Sequence, residues 1–170
     1  MISFEAGPEG ERARSEFGER YTQMMKREWF AVGIHLGYVY EGSPVIVPDG
    51  TPPPPDEVQT YTQTARPGSR APHVWLGPDR STLDLFGRGF ALLVFEGSGQ
   101  TLARAATMRG VPLDTVRIEN EEARRVYERR LVLVRPDGHV AWRADTDPTE
   151  REALRIVDIV RGALNSGSGS

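Results

Sequence analysis

The sequence contains no cysteine among its 170 residues. That absence excludes disulfides, thiol redox chemistry, thiolate metal sites and a cysteine nucleophile. It is compatible with a reducing compartment, and we expect a cytoplasmic location. The three histidines, His35, His73 and His139, stand far apart, so no metal site is predicted.

Long apolar runs and an excess of basic charge are also missing. The run from Ala91 to Phe95 is far too short to cross a bilayer, and no secretory leader pattern is visible. Lys and Arg number 21 against 24 Asp and Glu, a net charge of −3, without any basic block. We therefore expect neither nucleic acid nor a membrane as partner.

Proline is plentiful but unevenly placed, since most of the 13 prolines fall between Gly42 and Asp79. Proline fixes φ and removes a backbone donor, so this stretch is predicted to be an extended strap rather than a helix or central strand. The chain then divides into a helical region (1–41), a Pro-rich strap (42–89), an α/β core (90–164) and a Ser/Gly tail (165–170), which we leave out of the fold.

An apolar stripe at helical spacing precedes the strap and predicts an amphipathic helix from Glu11 to Gly33. Its members are Phe17, Tyr21, Met24, Met25, Trp29 and Val32. The helix either covers a core in the usual way or is the end of a larger preceding domain, with its stripe partly uncovered. The two interpretations are compatible.

After the strap, apolar runs alternate with capped helical segments. The continuous run Phe90 to Phe95 predicts a strand that is buried on both faces. Ser98 is predicted to cap a helix that reaches Arg109. Leu113 to Ile118 is predicted to form a second strand. Asn120 is predicted to cap a helix that ends at Tyr127.

The last third of the chain predicts a hairpin and a closing helix. Leu131 to Val134 and Val140 to Trp142 flank a Pro-Asp-Gly turn, in which Gly accepts positive φ. Asp147 is predicted to cap the last helix, with Pro148 in its first position and Glu150 completing a capping box. The predicted buried face consists of Ala153, Ile156, Val157, Val160 and Leu164.

This order of elements predicts a thioredoxin-like arrangement: a mixed four-stranded sheet with flanking helices, in which the 131–134 strand runs against its neighbours. The positions of redox cysteines hold Glu96-Gly97-Ser98-Gly99 instead, and Glu128-Arg129-Arg130 replaces the cis-proline segment. Ser98 is interpreted as a helix cap rather than a nucleophile. No Gly-x-Gly-x-x-Gly follows a strand and opens a helix, so no dinucleotide site is predicted.

Four motifs in order carry a family resemblance. They are Leu36-Gly37-Tyr38-Val39-Tyr40 with Ser43-Pro44, the stretch from Arg66 to Leu76, Ser81 to Gly87, and Leu133 to Arg143. From about Tyr21 to Leu164 the chain resembles the C-terminal part of the FAD-dependent aromatic-ring hydroxylases, the flavoprotein monooxygenases of the phenol hydroxylase and polyketide hydroxylase type.

The resemblance implies a thioredoxin-like domain that follows FAD-binding and substrate domains. FAD and NAD(P)H belong to the full-length parent enzyme, whereas this chain has neither FAD motif and is expected to bind no cofactor. Two functions stay open: a non-catalytic domain of such a monooxygenase, serving stability, inter-domain or possible homodimer contacts, or a stand-alone binding or assembly module.

No catalytic residue is predicted, and the candidate inter-domain contacts are Arg70, His73 and Trp75. Together they offer a charge, a titratable ring and a large apolar plane. Alternatively, Arg70 and His73 bond to carbonyl groups of the strap, while Trp75 and Leu76 fill the local core. His139, just after the hairpin turn, is predicted to be a solvated strand residue.

Overall fold

The computed structural model describes residues 7–29, 36–53 and 61–164. The chain forms two compact units, one made of Met1–Leu36 and Pro55–Tyr61, the other of Gly37–Pro54 and Thr62–Ser170. The prolines of the strap at 54 and 55 and the Ser/Gly tail lie outside the described residues.

The first unit contains helix α1, Pro8–Trp29. It begins before the predicted Glu11, because Pro8 has the φ of a first helical turn and lacks only an N–H that would be unpaired there. Phe17 and Tyr21 stack at 5.8 Å, and they and Met24 are exposed. The side chain of Trp29 and the whole of Val32, predicted to continue the stripe, lie outside the description.

The second unit is built around a mixed four-stranded sheet. The strap contains a small antiparallel ribbon of β1 (Trp75–Gly77) with β2 (Arg80–Ser81), followed by a 3₁₀ turn at Thr82–Leu85. The elements that follow are β3 (Phe90–Val94), α2 (Gln100–Met108), β4 (Leu113–Arg117), α3 (Glu121–Tyr127), β5 (Leu131–Val134), β6 (Val140–Ala144) and α4 (Glu150–Val160).

The predicted mixed four-stranded sheet is confirmed, and its 131–134 strand runs against its neighbours as predicted. The sheet order is β4-β3-β5-β6, with β3 parallel to β4 and β5 antiparallel to both β3 and β6. The Pro-Asp-Gly turn is also confirmed: Gly138 has φ 80°, and Arg135 N–H donates to the His139 carbonyl at 2.8 Å. Asn120 caps α3 as predicted, since its Oδ1 accepts from Ala123 N–H at 2.8 Å.

Different segments cover the two faces of this sheet. Leu92 and Leu133 point to one face, where helices α2 and α4 pack on them. Leu93 and Val132 point to the opposite face, because successive side chains of a strand alternate. That face is covered by α3 and by small apolar strap residues, namely Ala65, Ala71 and Val74. The strap therefore forms part of the core layer.

The cap of the last helix differs from the prediction. Thr149 is the N-cap of α4, and its capping box is closed by Glu152, whose carboxylate accepts from Thr149 N–H at 2.9 Å. Asp147 is not available as a cap, because its carboxylate accepts from the N–H groups of Ser98 and Gly99 at 3.2 and 2.8 Å. At the other end α4 stops at Val160, so Leu164 is exposed rather than buried.

The cap of α2 lies one residue later than predicted, at Gly99 with φ 65°. Ser98 Oγ accepts from Gln100 N–H at 3.3 Å and donates to Asp147. A Cβ on Gly99 would lie 2.7 Å from Leu92 Cδ2. Both the positive φ and the close approach to the sheet therefore require glycine at this position.

Candidate interaction surface

Three of the sequence motifs meet along the β5–β6 hairpin. The strap pairs with the start of β6, since Gly68 N–H donates to the Val140 carbonyl at 2.8 Å and Val140 N–H to the Ser69 carbonyl at 2.9 Å. Arg70 forms an isolated antiparallel bridge with His139. Tyr40, from the first motif, donates its N–H to the Gly68 carbonyl at 3.0 Å.

Two buried hydroxyl groups hold the middle of the strap on the sheet. Thr82 Oγ1 and the Tyr127 hydroxyl each donate to the Pro72 carbonyl at 2.7 Å. Thr82 Oγ1 also accepts from Val74 N–H at 3.0 Å. Both side chains are fully buried. Sequence reasoning did not single out these two residues, because their common partner lies 10 and 55 residues away in the chain.

A buried arginine holds the first part of the strap. The Arg143 side chain, only 2% exposed, lies 2.6 Å from Asp49 and 2.9 Å from Glu128. It also donates to Thr51 Oγ1 at 3.2 Å. Burial by itself would raise the pKa of Asp49, but hydrogen bonds from Thr51 and Arg143 outweigh it and hold that pKa below its usual value. This network was also missed from the sequence.

The structure brings two of the three predicted contact residues together. The rings of His73 and Trp75 meet edge to face at 5.0 Å, and Trp75 is 59% exposed. The core-filling alternative is therefore wrong for Trp75, whereas the partly buried Leu76 does pack against the core. Arg70 is exposed and lies beside His139 instead.

The other alternative, that Arg70 and His73 bond to strap carbonyls through their side chains, also fails within the described residues. The His73 backbone N–H donates to Gln63 Oε1 at 2.6 Å. The His73 ring contacts the Trp75 ring rather than a strap carbonyl. The Arg70 guanidinium has no hydrogen bond or ion pair with any described residue. Arg70 is thus exposed, and His73 is partly exposed.

The prediction that His139 is solvated is wrong. Its side chain is only 16% exposed, and its ring lies 4.7 Å from the ring of Tyr40 at an angle of 71°. The cover comes from Tyr40, which lies just before the strap and whose N–H donates to the Gly68 carbonyl of the strap. Tyr40 in turn meets Tyr38 at 5.1 Å and 89°.

A shallow groove of about 510 Å³ lies between the ends of α2 and α4, the hairpin turn and Val45 of the strap. The ends of α2 and α4 contribute Arg109 and Arg161 to it, and the hairpin turn contributes Arg135. Asp158 binds Arg109 and Arg161 at 2.9 and 2.7 Å, which occupies much of their hydrogen-bonding capacity. Among the described residues no three acidic or histidine side chains are grouped as a metal site would require.

The family model described as "Aromatic-ring hydroxylase, C-terminal" matches residues 64–160, more than half of the chain. The chain belongs to this family. The match begins just before the buried Ala65 of the strap and ends at Val160, the last residue of α4. The strap from residue 64 onward and the sheet are therefore one family domain.

Similar proteins are much longer than this chain. An FAD-dependent monooxygenase, apdD, from Emericella nidulans is 38% identical over 75% of the chain and 22% of its own length. A phenol 2-monooxygenase from a Pseudomonas species is 31% identical over 93% of the chain and 29% of its length. The solved structure of the rebeccamycin biosynthetic enzyme RebC with reduced flavin is 45% identical, with a TM-score of 0.77. The match covers 94% of this chain and 29% of RebC.

The chain thus spans less than a third of these three proteins. None of the helices in the described ranges is both long enough and apolar enough to cross a membrane. The contacts of Thr82 and Tyr127 with the Pro72 carbonyl, and the His73–Trp75 pair, lie within residues 64–160, which the family model matches.

Proposed function

We propose that this chain is the non-catalytic C-terminal domain of a longer FAD-dependent, NAD(P)H-using aromatic-ring monooxygenase. The observation that carries the proposal is the family match over the strap and sheet together, combined with relatives that are flavin enzymes by name and at least three times as long. The chemistry belongs to the missing part, because no phosphate-binding glycine turn occurs in this sequence.

The role of the domain is to stabilise the enzyme through contact with the preceding FAD and substrate domains. Trp75 supports this role, since tryptophan is among the residues most enriched at the energetic centre of interfaces. The edge-to-face contact with His73 fixes the orientation of the indole, so little side-chain entropy remains to be lost on docking. Arg70, which precedes Trp75 in the strap, adds an exposed positive charge.

The fold is interpreted as thioredoxin-like, because its sheet order and strand directions match that arrangement. It works without redox chemistry. At the start of α2, where a redox protein of this fold carries two cysteines, the Asp147 carboxylate accepts hydrogen bonds from the backbone N–H groups of Ser98 and Gly99. A cytoplasmic location agrees with the absence of cysteine. A homodimer of the parent enzyme is compatible with this role.

The test is to read and express the complete gene. We expect an upstream reading frame that encodes a Gly-x-Gly-x-x-Gly turn, and a purified product that carries stoichiometric FAD. The 170-residue chain alone should show no flavin absorbance after gel filtration. A native start codon at Met1, with a chain that binds its partner without any flavin enzyme, would favour the stand-alone binding or assembly module instead.

A matched pair of variants tests the interface role in the complete enzyme. Trp75→Ala should increase flavin loss on gel filtration, because it removes an anchor of the domain contact. Met108→Ala is the control, since Met108 is 71% exposed on α2, which packs on the opposite face of the sheet from Val74. Equal flavin retention in the two variants would contradict the interface role of Trp75.

A further inference from the structure

Three aromatic rings form a continuous row on the strap side of the second unit. Tyr38, Tyr40 and His139 meet successively edge to face, at 5.1 and 4.7 Å between ring centres. Tyr38 is 61% exposed and Tyr40 39%, whereas His139 is largely covered. We call this row the tyrosine ladder. Its outer end presents an apolar, hydroxyl-bearing surface to whatever lies outside the unit.

The backbone under the ladder is held in one conformation. Tyr40 N–H donates to the Gly68 carbonyl at 3.0 Å, and the next residue, Glu41, is paired with Arg66 at 2.7 Å. Gly68 has φ 93°, and a Cβ there would lie 3.1 Å from the Tyr40 carbonyl oxygen. The rings are therefore ordered before any partner arrives, which lowers the entropic cost of binding.

Arg70 belongs to the same surface. It is the bridge partner of His139, and the side chains of directly opposed residues on antiparallel segments project to the same side, about 5 Å apart at Cβ. Its guanidinium makes no hydrogen bond or ion pair with a described residue. Arginine binds a carboxylate in a bidentate manner, and Tyr and Arg are enriched at protein interfaces. The ladder with Arg70 thus fits a carboxylate beside an apolar surface.

The position of the ladder in the chain favours the preceding domain as the partner of this surface. Gly37 is the first residue of the compact unit, and Tyr38 follows it directly. The segment before Gly37 belongs to the first unit of this chain, and any upstream domain of the longer enzyme is connected to Tyr38 through that segment. The relatives show that much more polypeptide belongs to such proteins, since the chain covers only 29% of RebC.

We propose that Tyr38, Tyr40 and Arg70 form a docking surface for the preceding domain of the longer enzyme, which places a carboxylate against Arg70 and apolar side chains against the tyrosines. This inference rests on the proposed function, which supplies the preceding domain. It adds a second contact region, at the hairpin end of the strap, distinct from the His73–Trp75 pair.

Photo-cross-linking in the complete flavoprotein tests the proposal. Benzoylphenylalanine replaces Tyr38 in one protein, Trp75 in a second and Met108 in a third, and the cross-linked peptides are identified by mass spectrometry. Equal mixtures of ¹⁴N- and ¹⁵N-labelled protein distinguish cross-links within one polypeptide from those between copies. We expect Tyr38 cross-links to peptides upstream of this chain, within one polypeptide and well above the Met108 level.

Each other outcome decides the question differently. Cross-links from Trp75 but none from Tyr38 above the Met108 level would overturn the ladder proposal and leave the proposed function intact. If Tyr38 forms cross-links only between two copies of the protein, the partner of the ladder is a second copy, and the proposal of the preceding domain is wrong. A lack of cross-links at both aromatic positions would contradict the proposed interface as a whole.

A charge reversal tests the carboxylate without changing the ladder. Arg70→Glu should lower the yield of the Tyr38 cross-link by about tenfold, because like charges would then face each other. Arg88→Glu is the control, since Arg88 is exposed in the loop before β3. If benzoylphenylalanine at position 38 prevents folding, the melting temperatures of Arg70→Glu and Arg88→Glu are compared instead of the cross-link yields, in proteins that keep Tyr38. Equal effects of Arg70→Glu and Arg88→Glu would refute the carboxylate contact.

Discussion

Arg143 and Asp49 lie 94 residues apart in the chain, yet their side chains meet at 2.6 Å. The contact joins β6 to the first part of the strap, which passes alongside that strand. Val47 N–H donates to the Ala141 carbonyl at 2.8 Å next to it. The strap therefore covers the outer edge of β6 by backbone pairing and is fastened there by a buried ion pair.

Replacing Arg143 by Met should destabilise the chain by about 2 to 3 kcal/mol. Loss of one partner from a buried pair usually costs more, but Glu128 is half exposed and can return to water. Denaturant unfolding measures the change. Arg155→Met on the exposed side of α4 is the control and should stay within about 0.5 kcal/mol. A similarly small effect at Arg143 would show that the strap does not depend on this arginine.

Thr82 and Tyr127 are expected to act as a pair, because both donate to the Pro72 carbonyl. Tyr127→Phe should cost about 1 kcal/mol, and Thr82→Val about 2, since the latter also leaves Val74 N–H unpaired. The double variant should cost measurably less or more than the sum, as residues with a shared partner are not additive. Strict additivity in denaturant unfolding would mean that the carbonyl does not couple them.

Features with a local cause could be predicted from the sequence. The Asn120 cap and the Pro-Asp-Gly turn each depend on residues within a few positions, and both are confirmed. The mixed sheet was predicted from the apolar runs and from the order of strands and helices along the chain, because that order restricts how a sheet is assembled.

Features with a distant cause could not be predicted. Asp147 has the local pattern of a helix cap, but its carboxylate accepts from N–H groups 48 and 49 residues away. His139 is covered by Tyr40, which lies in another motif. Among the candidate contacts, sequence reasoning named Trp75 but left its exposure open, since an aromatic residue fits a core or an interface equally well. Tyr38 and Tyr40 were recognised only as part of a motif.

Gly99→Ala should destabilise the chain more than Gly110→Ala. Both glycines have φ near 64°, at 65° and 63°, so each alanine is strained by about 1 kcal/mol or more. At Gly110 nothing lies within 4 Å of the added Cβ, whereas at Gly99 the fully buried Leu92 is 2.7 Å away. The overlap should add about 1 to 3 kcal/mol. Equal losses in thermal or denaturant unfolding would indicate that Leu92 moves freely.

The acid sensitivity of the fold should depend on Asp158. The hydrogen bond from Arg109 lowers the pKa of this carboxyl most; burial opposes it in part, and the hydrogen bond from Arg161 lowers the pKa further, so that it lies below its usual value. An unfolded aspartate titrates near pH 3.9, at about its ordinary pKa. Its contribution to stability is therefore complete above that pH and is lost as the pH falls through the lower pKa of the folded state.

Asp158→Asn should accordingly reduce stability at neutral pH and flatten the stability profile below about pH 4, where the native protein loses this contribution. The free energy of unfolding, measured in denaturant at pH values from about 2.5 to 7, provides the profile. Asp114→Asn on the exposed part of β4 is the matched control. If the Asp158 variant keeps the full slope at acid pH, its ion pairs with Arg109 and Arg161 do not contribute to the acid sensitivity of the fold.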